Sequence, residues 1–132
     1  MKVRLPVLTA LLAIFPLAGC VMDIVSVTQA PATFAPAGEP GTPVVLQGDV
    51  TIPLGTGFPT KLKKGTTWRS IGKIAEGDVF ATRDQIVTVE ASNIHEAQPV
   101  ITGGQIVGFY LPVEHTFARA ATPVAIAFQP AK

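Results

Sequence analysis

The chain has 132 residues, ten Lys or Arg against nine Asp or Glu, and a formal charge of +1. That balance argues against nucleic-acid binding through bulk positive charge. The single cysteine excludes an internal disulfide framework, so a domain of this modest size must be held by its core alone.

Met1-Lys2-Val3-Arg4 is a short basic opening, and Leu5–Leu17, "LPVLTALLAIFPL", follows as 13 uncharged, mostly apolar residues. Such a stretch is too short for a bilayer core, which needs roughly 20 apolar residues as a helix. Pro6 and Pro16 shorten its usable helix further. The pattern predicts an export signal over residues 1–19. It ends on Leu17-Ala18-Gly19-Cys20, and this string resembles the lipobox of bacterial lipoproteins. The resemblance covers residues 1–20. It implies a diacylglycerol thioether on Cys20, cleavage before that residue, and acylation of the freed amine. Two or three acyl chains hold a protein on a membrane stably, where one holds it marginally. Lipoproteins of this kind with Asp directly after the lipidated cysteine are retained in the inner membrane. Val21 stands there instead, which implies the inner face of the outer membrane, with the domain in the periplasm. Loss of residues 1–19 removes Lys2 and Arg4, leaving eight basic against nine acidic residues.

Residues 20–43 are expected to be the anchor and a Pro/Ala-rich tether. Within them Ile24–Pro43, "IVSVTQAPATFAPAGEPGTP", is broken by Pro31, Pro36, Pro40 and Pro43, which prevent helix and discourage a central strand. At about 3.1 Å per residue such a spacer reaches roughly 60 Å. The other reading packs Ile24–Val27 or Phe34 onto the domain.

Residues 44–132 show no sustained helical spacing; short β-branched and aromatic runs alternate with Gly, Pro, Asn and Asp. Strands are expected near Val44–Ile52, Thr60–Lys64, Thr67–Ile74, Asp78–Thr82, Gln85–Ala91, Pro99–Ile101, Gln105–Leu111 and Val124–Phe128. Thr102-Gly103-Gly104 is the strongest hairpin signal. One short helical turn is expected over Asn93–Ala97, capped by Ser92 or Asn93. The repeated Gly-Asp-Val of "LQGDVTI" and "AEGDVFA" reads as two turns, each opening a strand. The fold class is all-β: a small antiparallel sandwich or barrel of about eight short strands. Its expected core is Trp68, Ile74, Val79, Val87, Val89, Val107, Phe109, Leu111, Val124, Ile126 and Phe128. On alternation, Val107, Phe109 and Leu111 share one face of their strand.

Catalytic chemistry finds little material. Ser26, Ser70 and Ser92 lack a Gly-x-Ser-x-Gly setting, so no enzyme and no cofactor are expected. His95-Glu96 and Glu114-His115 are mirrored pairs that a hairpin through Gly103-Gly104 could bring together. Residues adjacent on a strand point to opposite faces, so each pair offers one metal ligand per face. Lys61, Lys63, Lys64, Arg69 and Lys73 place five cations within "KLKKGTTWRSIGK". Alternation puts Arg69 and Lys73 on one face, opposite Trp68. Such a hairpin is either a docking patch for anionic headgroups, peptidoglycan carboxylates or an acidic protein, or a solvated edge whose lysines discourage aggregation. Phe109 and Tyr110 lie in "GQIVGFYL", apolar on both faces. That strand is either covered on both sides or exposes an apolar strip to a partner.

These residues together predict a membrane-anchored structural or binding lipoprotein that contacts an envelope protein or peptidoglycan. The alternatives are a metal-dependent module using His95 and His115, and an inhibitor of a cell-wall enzyme. Residues 65–117 resemble small envelope lipoproteins to which no activity attaches.

Overall fold

The computed structural model describes residues 25–132; Leu17, Ala18, Gly19 and Cys20 lie outside them. Every regular element among the described residues is a strand, and all the pairings are antiparallel. In chain order the strands are β1 (Ala30–Pro31), β2 (Ala35–Pro36), β3 (Val44–Leu46), β4 (Val50–Ile52), β5 (Thr60–Leu62), β6 (Thr67–Ile74) and β7 (Gly77–Thr82). They continue as β8 (Thr88–Glu90), β9 (Ile94–Glu96), β10 (Gln98–Thr102), β11 (Gln105–Leu111), β12 (Thr116–Ala125) and β13 (Phe128–Pro130).

The hairpin of β10 and β11 turns through Gly103 and Gly104, at φ 56° and 74°. Two consecutive positive φ values define the turn whose twist matches that of paired strands, and glycine adopts them at no steric cost. From this hairpin the main sheet extends in the order β1-β12-β11-β10-β7-β6-β3-β13, with β2 also pairing β6. β12 and β13, though separated only by Ile126-Ala127, pair with opposite ends of that order. The sheet therefore curls back on itself. β4–β5 and β8–β9 form two small additional ladders.

Inside the curl lies the larger core, with Leu46, Ile52, Leu62, Trp68, Val89, Ile106, Phe109 and Leu111 buried together. The outer face carries a second cluster: Ile74, Val79, Val100, Tyr110 and Phe117. A sheet with two apolar faces needs a cover on both. The cover outside is the segment read as a spacer, and within it the other expectation holds, that Phe34 packs on the domain. Ala30 and Pro31 pair with Phe117 and Thr116, and Ala35 and Pro36 pair with Lys73 and Gly72. Between these contacts, Ala32 and Phe34 pack on the second cluster. The prolines sit where prolines are tolerated, on short edge strands. Residues 25–43 are extended but strapped to the sheet, so the expected boundary at Pro43 does not separate a tether from a domain.

Other departures are local. Val44–Ile52 is two strands, split at Gly48, that belong to different sheets. Asn93–Ala97 is not a helical turn; Ile94–Glu96 pairs with Thr88–Glu90. β12 carries no strand signal over most of its length. A bulge in β11 places Ile106 and Phe109 in the inner core and Val107 and Tyr110 outside, so Val107 does not share a face with Phe109 and Leu111.

Candidate functional site

Register fixes which loops meet. Val100 pairs with Val79, Gln98 with Tyr110, and Leu111 with Thr116. β7 and β11 therefore finish, and β10 and β12 begin, at one end of the curled sheet. The Gly103-Gly104 and Ala75-Glu76 turns lie at the other. The residues with chemical potential gather at the first end.

The five clustered cations do not share one hairpin. β5 pairs with β4, and no ladder joins it to β6. A second bulge, between Ser70 and Gly72, turns the faces of β6. Trp68 enters the inner core while Ile74 enters the outer cluster. Arg69, opposite Ala81, thus lies on the outer face, and Lys73, opposite Asp78, on the other. Lys73 also sits at the far end of the sheet, and the expectation that it shares a face with Arg69 fails because of the bulge.

The loop after β7 assembles a different group. The Gln85 side chain accepts from Lys63 N–H at 2.8 Å and donates to the Lys61 carbonyl at 3.1 Å, binding the β5 backbone as a short strand would. Asp84 Oδ2 accepts from Thr67 N–H at 2.6 Å and ties the same loop to β6. Arg83 directly precedes these two anchored residues and lines one groove with Arg69. Asp49 is likewise engaged by a backbone group, the Lys64 N–H at 2.8 Å. Among the described residues none of these cations has a carboxylate within ion-pair distance. Arg69 and Arg83 flank a groove of about 330 Å³ whose remaining wall includes Pro40, Ile71 and Ala81. Thr67, Thr82 and Asp84 complete the lining; with Asp84 Oδ2 already engaged by the Thr67 N–H, the two guanidiniums beside Pro40, Ile71 and Ala81 suit a carboxylate or phosphate carried on a less polar body. In the sequence, Arg83 reads only as part of the Arg83-Asp84 turn; its place in the patch depends on the contacts of its two neighbours.

The two His/Glu pairs do meet. His95 Nδ1 lies 2.7 Å from Glu114 Oε1. A carboxylate only accepts, so the proton of that bond belongs to the imidazole. The bond holds the Glu114 carboxyl below its ordinary range, against a smaller opposing effect of burial. His115 Nδ1 instead faces the Tyr110 hydroxyl at 3.2 Å, and Glu96 is exposed. His115 is the one non-glycine with positive φ among the described residues, at 57°. No three His, Cys, Asp or Glu side chains among those residues converge as a metal cage would require.

Phe109 and Tyr110, the other expected contact residues, are buried, at 0% and 3% exposure. Phe109 belongs to the inner core and Tyr110 lies beneath Phe34. Both faces of β11 are covered, and neither residue presents a surface to a partner.

The chain matches no protein-family model, no curated protein and no solved structure.

Proposed function

We propose that the chain is a lipid-anchored protein of a bacterial envelope, held through acylated Cys20 on the periplasmic face of the outer membrane, and that it acts by binding another envelope component. The observation that carries this reading is the adjacency of the Leu17-Ala18-Gly19-Cys20 string to a strap bonded to the domain from Val25 onward. Diacylglycerol on Cys20 would place the domain next to the lipid. The contact group is Lys61, Lys63, Arg69 and Arg83, and its partner class is an acidic envelope protein or the carboxylates of peptidoglycan. Cations that lack a carboxylate partner among the described residues are available to an external anion, and such contacts set encounter rate and specificity as well as affinity.

Two measurements test the two halves. Radiolabelled palmitate is expected to enter the wild-type protein and not a Cys20→Ser variant, which should also leave the membrane fraction. Equal fractionation of the two forms would end the lipid-anchor reading. In pull-downs from envelope extracts, a Lys61/Lys63/Arg83→Ala variant is expected to lose captured components. An unchanged set would remove the cationic group from the reading.

A further inference from the structure

We propose that the end of the sheet bearing the β7–β8, β8–β9 and β11–β12 connections is a membrane-docking face, resting on the same bilayer that holds Cys20. This inference rests on the lipid-anchor reading and adds an orientation to it.

Three observations converge. The first is where the chain is fastened. Val25 is bonded to the domain through its carbonyl, which accepts from Ser92 N–H at 2.9 Å. Five Cα–Cα steps separate Cys20 from Val25, and they span at most about 18 Å in any conformation. An anchor at Cys20 therefore keeps this end of the domain within that distance of the lipid, at high effective concentration.

The second is exposed apolar surface. Four of the five large hydrophobic side chains exposed among the described residues are Val25, Ile86, Ile94 and Val113, at 37%, 87%, 69% and 71%. All four belong to this end. Ile86 lies between β7 and β8, and Ile94 and Val113 immediately precede His95 and Glu114, whose 2.7 Å bond joins the β9 and β11–β12 segments. Aliphatic side chains scattered over a surface need no explanation, but a set gathered at one end marks an interface.

The third is the flank of the same end, where Lys61, Lys63 and Arg83 are held together by the Gln85 and Asp84 contacts. Cations beside inserted apolar side chains suit a surface that includes anionic headgroups. The groove between Arg69 and Arg83 opens on the outer face of β6 and β7, to the side of this end, so of the contact group docking turns Lys61 and Lys63 toward headgroups and leaves Arg69 and Arg83 to a partner.

The far end supplies an internal control. Thr102, the last residue of β10, pairs with Gln105 at the opposite end of β11, six residues from Leu111 and so roughly 20 Å away at about 3.3 Å per residue. In the lipidated protein Cys20 is a thioether, so a cysteine placed at Ile94, Val113 or Thr102 is the sole free thiol for a spin label. All three positions are exposed, and substitution there leaves the core intact. Palmitate incorporation is measured first on the full chain expressed in cells, and each labelled protein is then reconstituted in phosphatidylethanolamine–phosphatidylglycerol vesicles. Labels at 94 and 113 are expected to collide with a water-soluble nickel chelate about threefold less often than a label at 102, as befits side chains at the headgroup boundary. Equal collision rates at 94, 113 and 102 in a palmitoylated protein overturn the docking face and leave the anchor standing. Absence of palmitate overturns the anchor, and the docking face with it.

Discussion

The Phe34 ring stacks on Tyr110 with centroids 5.3 Å apart and planes 17° from parallel. One ring comes from the Pro-rich strap and the other from β11, a strand of the outer cluster. The contact separates a strap from a spacer in a measurable way. Phe34→Ala removes a half-buried aromatic and opens the outer face, and the expected loss is about 2 kcal/mol, below the range for fully buried phenylalanine. In a domain of this size that lowers Tm by about 10 °C. Thermal unfolding of the variant checks it, and an unchanged Tm would mean that the strap contributes nothing to the fold.

Gly72 makes the same argument from beneath. A Cβ built there would come within 2.6 Å of the Phe34 ring, and it would also clash with the Ala35 carbonyl. Gly72→Ala is therefore expected to lift the strap and destabilise by an amount similar to Phe34→Ala. If both act on the same contact, the double variant loses about 1 kcal/mol less than the sum of the two. Denaturant unfolding of the four proteins gives the coupling, and strict additivity would show that the strap is not the shared element.

Much of this fold is legible from residue type and spacing. β6 and β11 have the bounds expected for them, 67–74 and 105–111, because β-branched and aromatic runs end there on turn residues. The Gly103-Gly104 turn and the meeting of His95 with Glu114 follow from the same hairpin. What was illegible has three physical causes. Bulges at Ile71 and Val107 shift the alternation by one, and nothing in local composition signals a bulge. β12 is alanine-rich, and buried Ala118 and Ala120 give too little contrast with their neighbours for a period of two to show. The strap is held by edge pairing with strands remote in sequence, so its prolines read as a linker until β6 and β12 are in place. Arg83 joins the candidate site for a similar reason: Asp84 and Gln85 reach back to Thr67, Lys61 and Lys63, and no local pattern encodes that.

His115 closes the turn between β11 and β12 in the left-handed region, with its N–H bonded to the Leu111 carbonyl at 2.9 Å. Side chains other than glycine are strained there. Replacing His115 by Ala or by Gly removes the same ring and the same contact with Tyr110, so the difference between the two variants isolates the backbone. Glycine is ordinarily the less stable of the pair by about 0.5–1 kcal/mol. At this position the order is expected to invert, with His115→Gly more stable than His115→Ala by about 1 kcal/mol. Unfolding free energies of the two variants decide it, and the ordinary order would argue against a left-handed residue 115.

The bond between His95 and Glu114 fixes the sign of a pH effect. Because the imidazole N–H holds the Glu114 carboxyl below its ordinary range, the folded protein binds this proton less readily than the unfolded chain does. The stabilisation is therefore complete above the ordinary glutamate range and disappears as pH falls through the lowered folded value. Both side chains are partly exposed, at 16% and 29%, which limits the pair to about 1 kcal/mol or less. Comparing wild type with Glu114→Gln cancels the contributions of the other carboxylates. The wild-type advantage is expected to hold above the ordinary glutamate range and to shrink as pH falls through and below it, vanishing once the Glu114 carboxyl is protonated and as uncharged as the glutamine that replaces it. Salt should reduce it, since the pair lies at the surface. A wild-type advantage that grew as the pH dropped from 5 to 3 would contradict the assigned direction, and with it the ionised acceptor on which the His95 contact depends.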